Sequence, residues 1–301
     1  MRIIVHADDA GICKGITDRI FEAYHLGCLN RVSIIPNGEA FEYAIEKIKE
    51  NRNLECSIHI NLVEGKALSR PEVIPMLVDP SGRFRKTFLT LWLTHLLGFR
   101  IKKCLEEQVG IELHAQVARV KEALPGRKII IDSHRYLHII PFLFRIILKH
   151  REQWNVESIR VIREHFFIGG LMFQGSLFLL LSNLAKHLVL NWFSARCMRI
   201  QKPCPIPHPD WFIGVLYSGR MLPGIVKRVM KAILNKDQAD TSTVELLFHP
   251  GPADLADASI WDNAPRYRKF YFSEKRAQEL DTLISSEFIE YIVGFQGRNY
   301  E

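Results

Sequence analysis

The chain is poor in the features that would assign it quickly. Its six cysteines contain no CxxC pair and form no regular framework, which argues against a disulfide-stapled secreted fold and for a reducing compartment. The 18 glycines and 14 prolines are scattered, so the chain is neither collagen-like nor dominated by linkers. No internal repeat, low-complexity tract or convincing domain boundary is visible. Met1 runs directly into Arg2-Ile3-Ile4-Val5, too short an apolar run for a secretory signal. Acidic residues are missing from two long stretches: Ser81–Cys104 holds six Lys/Arg and His165–Pro209 holds four, with no Asp or Glu in either. Both stretches are also apolar, around Phe88–Leu93 and Leu177–Leu181. That basic, greasy pairing differs from the basic, polar surface that binds nucleic acid, so no nucleic-acid partner is expected.

What is present describes an ordinary globular protein. Of 301 residues, 48% are hydrophobic and 24% charged, with a formal net charge of +7. The length suits two average domains, or one α/β barrel of about 250 residues. Apolar runs predict strands at Arg2–His6, Arg31–Ile35, Leu54–Leu62, Lys128–Asp132, Ser158–Val161 and Glu245–Phe248. Helical spacing predicts helices from Ile16 to a stop at Gly27, over Ala40–Glu50, about Ile101–Leu124, Pro141–His150 and Ser273–Ser286. Strand and helix alternate, as in a parallel α/β fold with its active site at the C-terminal strand ends. The stretch Phe166–Phe193 is long enough to span a bilayer but is interrupted by Gly169-Gly170, Gln174, Asn183 and Lys186-His187. Buried helices, or an amphipathic pair resting on lipid, are expected there instead.

Four polar clusters follow predicted strands: His6-Ala-Asp8-Asp9-Ala-Gly11, His59-Ile-Asn61, Asp132-Ser-His134-Arg-Tyr-Leu-His138 and His249-Pro-Gly251. Each alone has a plain structural reading. An Asp pair after a strand is often a helix N-cap, a part open to Asp9 or Thr17, and a lone His is often just hydrogen-bonded. One parallel sheet, however, would bring all four clusters to the same rim. One carboxylate and two imidazoles with an open position suit a catalytic divalent metal, and a neighbouring carboxylate could serve as base. Asp132 is placed to orient an imidazole, and Glu64 either to do the same or to close a loop.

These clusters, together with Val32–Gly38, Ser57–Gly65, Trp211–Gly214, Tyr217–Gly219 and Thr243–Gly251, resemble the YdjC (ChbG/HpnK) family of carbohydrate deacetylases over most of the chain. The resemblance implies a distorted (β/α) barrel of mostly parallel strands, with residues 1–301 as a single domain. A less family-like apolar and basic helical segment covers about 165–209. It implies metal-dependent removal of the N-acetyl group from an N-acetylated amino sugar, releasing acetate. Carried over by position, Asp9, His59 and His134 are the metal ligands, Asp8 the general base and His249 the general acid. His138 and Asn61 are the substrate-binding candidates. The ligand types favour zinc or another transition ion, and the resemblance leaves magnesium open. Three departures bear on the pocket: His6 for the usual Asn, Ala10 for Phe, and Arg135-Tyr136 where His or Gln is common.

The expected partner is an N-acetylated sugar, as free oligosaccharide or glycolipid, with a homodimer allowed. The expected location is cytoplasmic, with contact between the two basic, apolar stretches and the anionic inner membrane face, or a lipid-linked sugar, as an added expectation. The competing reading is a non-catalytic sugar-binding or regulatory protein that keeps the fold.

Overall fold

The computed structural model describes residues 1–166, 177–235 and 242–296. Seven strands form one parallel sheet: β1 (Arg2–Ala10), β2 (Arg31–Ile34), β3 (Glu55–Ile60), β4 (Ile129–Ser133), β5 (Val156–Ile159), β6 (Trp211–Ile213) and β7 (Thr243–Phe248). Their order is β5-β4-β3-β2-β1-β7-β6, so the chain builds outward from β1 in one direction and closes the other side with its C-terminal third. The sheet curls into a half-barrel. Among the described residues its two edges share no ladder and are joined by isolated backbone bonds, from Ile159 N to the Pro207 carbonyl (3.0 Å) and from Phe212 N to the Arg163 carbonyl (3.1 Å). This is the distorted barrel that the resemblance implies.

The helices are α1 (Lys14–Leu26), α2 (Phe41–Glu50), α3 (Phe88–His95), α4 (Phe99–Ala123), α5 (Pro141–Trp154), α6 (Leu177–Gln201), α7 (Pro223–Leu234), α8 (Pro265–Tyr271), α9 (Glu274–Ile284) and α10 (Ser286–Gln296). Most bury one apolar stripe, as Ile16, Ile20 and Phe21 do on α1 and Phe41, Ala44, Ile45 and Ile48 on α2. Gly27 ends α1 because the helix there abuts α9: a Cβ would stand 2.3 Å from the Leu283 carbonyl oxygen. No helix among the described residues is long and apolar enough to cross a membrane. Of the Phe166–Phe193 stretch, residues 167–176 lie outside the described residues and most of the rest belongs to α6.

Two local expectations are corrected. The Asp pair does not follow β1 but lies inside it, because the strand continues to Ala10. Neither Asp9 nor Thr17 caps α1; Cys13 does, its sulfur accepting the Ile16 N–H, while the Thr17 hydroxyl accepts the Gly11 N–H and donates to the Cys13 carbonyl.

Candidate active site

Consecutive strand residues face opposite sides of a sheet, so two adjacent aspartates should not share a cavity. A bulge in β1 lets them. Ala7 pairs with Val32 and Ala10 with Ile34, so β1 fits one extra residue into that interval. Asp9 takes a left-handed φ of +80°, a strained conformation for a residue with a Cβ. Asp8 and Asp9 therefore both line a cavity of about 570 Å³ together with His59, His134 and His249. The strand ends bring together every proposed metal ligand, the proposed base and the proposed acid.

Asp9 Oδ1 lies 3.7 Å from His59 Nε2 and 3.1 Å from His134 Nδ1, and the three donors form a buried trio compact enough for one metal ion. Each imidazole is aimed by a carboxylate behind it. His59 Nδ1 donates to Asp132 Oδ1 at 2.7 Å, leaving Nε2 as the free donor atom. His134 Nε2 lies 3.1 Å from Glu64 Oε2, and Glu64 is itself fixed by the Trp261 indole at 2.7 Å and the Tyr271 hydroxyl at 3.3 Å. Glu64 thus contacts an imidazole and also ties its own loop to the C-terminal segment, so both of its expected roles have contacts here. Asp9 Oδ2 is taken by Arg276 Nη2, which leaves Oδ1 to face the imidazoles.

The motif His249-Pro250-Gly251 explains how Arg276 arrives there. A Cβ on Gly251 would stand 2.8 Å from Arg276 Cβ, and the Gly251 N–H donates to the Arg276 carbonyl at 3.2 Å. Only glycine lets α9 approach this closely. His249 is held by its own backbone N–H on Glu279 Oε2 (2.6 Å), with its ring against Phe270.

Under the trio lies a buried polar layer that the sequence reading did not isolate. Arg160, directly after β5, donates Nη1 to Asp8 Oδ2 and Nη2 to Asp8 Oδ1, both at 2.9 Å, and Nε to Glu245 Oε1 at 2.7 Å. Asp132 Oδ2 is 3.2 Å from the same guanidinium and accepts from the hydroxyls of Ser33 and Ser57. His6 bridges Glu245 (2.8 Å) and Ser33 (2.6 Å), a structural role rather than a place in the pocket wall. His6, Asp8 and Asp132 also form a compact trio of potential ligands, but the Arg160 guanidinium fills the space between them.

Two expected substrate contacts are not in the cavity wall. His138 is fully buried, its Nδ1 2.6 Å from the Ser133 hydroxyl and its Nε2 donating to the Arg160 carbonyl at 3.0 Å. Asn61 is also fully buried; its Oδ1 accepts the N–H groups of Val63 and Glu64 and its Nδ2 donates to Asn37 and the Glu64 carbonyl. It shapes the turn that delivers Glu64. The wall is instead formed by Arg135 and Tyr136, both left-handed, with Thr87–Leu89, Lys186, Val189, Leu190, Val215, Arg266 and Phe270 among others. Of the three sequence departures, Arg135-Tyr136 therefore lines the pocket, whereas His6 and Ala10 are not in its wall.

Charge explains the protonation pattern. Burial alone would raise both aspartates, but Arg160 and His59 hold Asp8 well below the usual carboxylate range, and Arg276 and His134 do the same for Asp9. Burial alone would lower His134, yet its bonds to Asp9 and Glu64 push it up to about 9. Five carboxylates (Asp8, Asp9, Glu64, Asp132, Glu245) lie around the trio with the buried guanidiniums of Arg160 and Arg276, and Arg135, Lys186 and Arg266 also line the cavity. The two carboxylates in contact with His134 draw a proton onto its imidazole, and the same contacts would favour a bound cation. The two-imidazole, one-carboxylate set fits a divalent transition ion.

The profile of YdjC-like proteins matches residues 2–293. The chain belongs to the YdjC family. A carbohydrate deacetylase of Brevibacillus brevis is 27% identical over 97% of this chain and 94% of its own length. Carbohydrate deacetylase 1 of Listeria innocua is 32% identical over 97% and 95%. A crystal structure from Enterococcus faecalis V583, of a protein assigned to cellobiose-phosphate cleavage, superposes with a TM-score of 0.66 at 19% identity, covering 98% of this chain and 94% of that one. At that identity the likeness concerns the fold, and it extends over the whole curled sheet of this YdjC-family chain.

Proposed function

We propose that this YdjC-family protein is a metal-dependent deacetylase of an N-acetylated amino sugar. The observation that carries the reading is one cavity holding Asp9, His59 and His134 as a compact donor trio with Asp8 and His249 in the same wall. Asp9 Oδ1, His59 Nε2 and His134 Nδ1 would hold the ion. A divalent cation supplies Lewis-acid polarisation of the amide carbonyl and acidifies water in the site.

The chain's own groups do the rest. Asp8 is ionised across the physiological range and fixed in orientation by Arg160, so it accepts the proton of the attacking water. The water oxygen adds to the acetyl carbon and the C–N bond breaks. His249 gives its proton to the departing nitrogen, because an amine leaves poorly as an anion. The products are acetate and the free amino sugar. A binding module would need neither base nor acid.

The test is metal analysis of the purified protein combined with an acetate-release screen over N-acetylated sugars. Bound transition metal with metal-dependent acetate release is expected. Sugar binding with a loaded metal and no acetate release from any N-acetyl sugar would instead establish a non-catalytic sugar-binding protein.

A further inference from the structure

Helix α6 buries Leu190, Phe193 and Cys197 but leaves a second apolar stripe outside. Its exposed stripe carries Leu181, Leu188, Val189 and Trp192, then Arg196 and Arg199, at helical spacing. Its buried stripe, on the opposite side, includes the polar residues Asn183, His187, Ser194 and Gln201. These have partners: Asn183 donates to the carbonyls of Leu216 and Ser218, His187 to that of Glu164, and the Ser194 hydroxyl accepts the Ile162 N–H. The polarity is therefore fixed by bonds to the barrel. An ordinary surface helix has a polar outer face.

Helix α3 packs beside it, with Phe88 and Trp92 both edge-on to Phe193 at 5.3 and 5.4 Å. It and the turn into α4 expose Leu89, Leu93, Leu96, Leu97 and Phe99, the last at 79%. Of the sixteen large apolar side chains exposed among the described residues, eleven lie in residues 81–104 and 165–209. Such concentration marks an interaction surface.

We propose that the outer face of α3 and α6 docks on an anionic lipid bilayer and that the cavity opens at that face. Charge selects this occupant over a second copy of the chain. Arg100 and Lys103 beside Phe99, and Arg196 and Arg199 on α6, are exposed, and residues 81–104 and 165–209 contain no acid, so a two-fold contact through this face would set cations against cations. The acids next along α4 are engaged, Glu106 with His95 and Glu107 with Lys103. Arg196 stacks over Trp192 at 4.6 Å, a cation beside an interfacial aromatic. The surface is continuous with the site, since Leu89 and Val189 are both exposed and line the cavity. No helix among the described residues is long and apolar enough to cross a membrane, so the attachment proposed is a peripheral one. The consequence for the substrate, which rests on the deacetylase reading, is that amino sugars anchored in the bilayer are within reach.

The binding test does not use catalysis, so it stands or falls apart from the deacetylase reading. Wild-type protein and the Leu97→Glu/Phe99→Glu/Leu188→Glu variant are sedimented with phosphatidylcholine vesicles and with vesicles containing phosphatidylglycerol, across a salt series. Wild type should favour the anionic vesicles at least about tenfold, lose that preference at high salt, and bind far better than the variant. These three residues lie outside the cavity wall, so turnover of water-soluble substrate should be unchanged. Lack of anionic preference, or equal binding by the variant, overturns the proposal. So does sedimentation velocity showing a vesicle-inert wild-type dimer that the variant dissociates.

Discussion

Arg160 grips both carboxylate oxygens of Asp8, Nη1 on Oδ2 and Nη2 on Oδ1, each at 2.9 Å. The pair ties the end of β5 to the bulge in β1, across the barrel from one edge strand to the middle of the sheet. It fixes the direction of the proposed base and keeps it ionised.

Asp8→Asn keeps the size and most of the hydrogen bonding but removes the basic oxygen. Metal content should stay near that of wild type, because Asp9, His59 and His134 are untouched, while kcat falls by about 10²–10⁴. Metal analysis and acetate release on the same preparation check both halves. Loss of metal in Asp8→Asn with retention in Asp9→Asn would reverse the roles within the pair.

Arg160→Ala asks a different question. It leaves Asp8, Asp132 and Glu245 buried without their shared cation. Removing one partner of a buried ionic network costs about 3–5 kcal/mol, so a large loss of stability is expected before any effect on rate. Chemical denaturation measures it. A loss below about 1 kcal/mol would mean that the carboxylates take up protons or find other donors.

The distance between what was legible and what was not follows from the range of the interactions. The four polar clusters could be grouped from sequence because a parallel sheet brings strand ends together whatever the details. Arg160, Glu245 and Arg276 were harder, since each owes its role to partners more than 80 residues away. Arg160 did leave a trace: a charged residue inside a predicted apolar strand needs a buried partner. His138 and Asn61 misled because a polar residue after a strand serves equally well as a turn former. Helix α6 has apolar residues on both its buried and its exposed face, so amphipathic spacing could not place it, and β6 has only three residues.

Asp132→Asn tests the aiming of His59. The Asp132 carboxylate accepts the His59 Nδ1–H at 2.7 Å and thereby keeps Nε2 free for the ion. Losing such a partner weakens metal affinity by about 10–100-fold. Competition titration with a chelator should show that loss, and excess zinc should restore part of the activity. His59→Ala, which removes the donor itself, should not be rescued.

Acid sensitivity is expected to begin well above the carboxylate range. Burial, aided by Arg160, lowers His138 to about 4. The unfolded chain titrates near 6.5, so between those values the unfolded state binds the extra proton. The neutral ring's contribution is full above about pH 6.5 and is lost as the pH falls toward 4, up to about 3 kcal/mol in all. Glu245, pushed down to about 2, loses its contribution only below the usual carboxylate values. His138→Gln should flatten the fall in stability between pH 6.5 and 5 and leave the steeper loss at lower pH. An unchanged slope in the variant would assign that window to other groups, His6 first.

The role of His249 can be separated from that of Asp8 by changing the leaving group. An amide nitrogen needs a proton as the C–N bond breaks, whereas a nitrophenolate leaves unaided. His249→Gln should therefore lose about 10²–10⁴ in kcat on an N-acetyl sugar and only a few-fold on 4-nitrophenyl acetate, while Asp8→Asn should be impaired on both. The ring's partial exposure, with a side-chain accessibility of 16%, allows it to exchange its proton with solvent between turnovers. The Gln variant also keeps the backbone N–H on Glu279 that shapes the turn. Equal losses on amide and ester would show that His249 holds the site together or binds substrate, and the proton donor would have to be sought among the other groups lining the cavity.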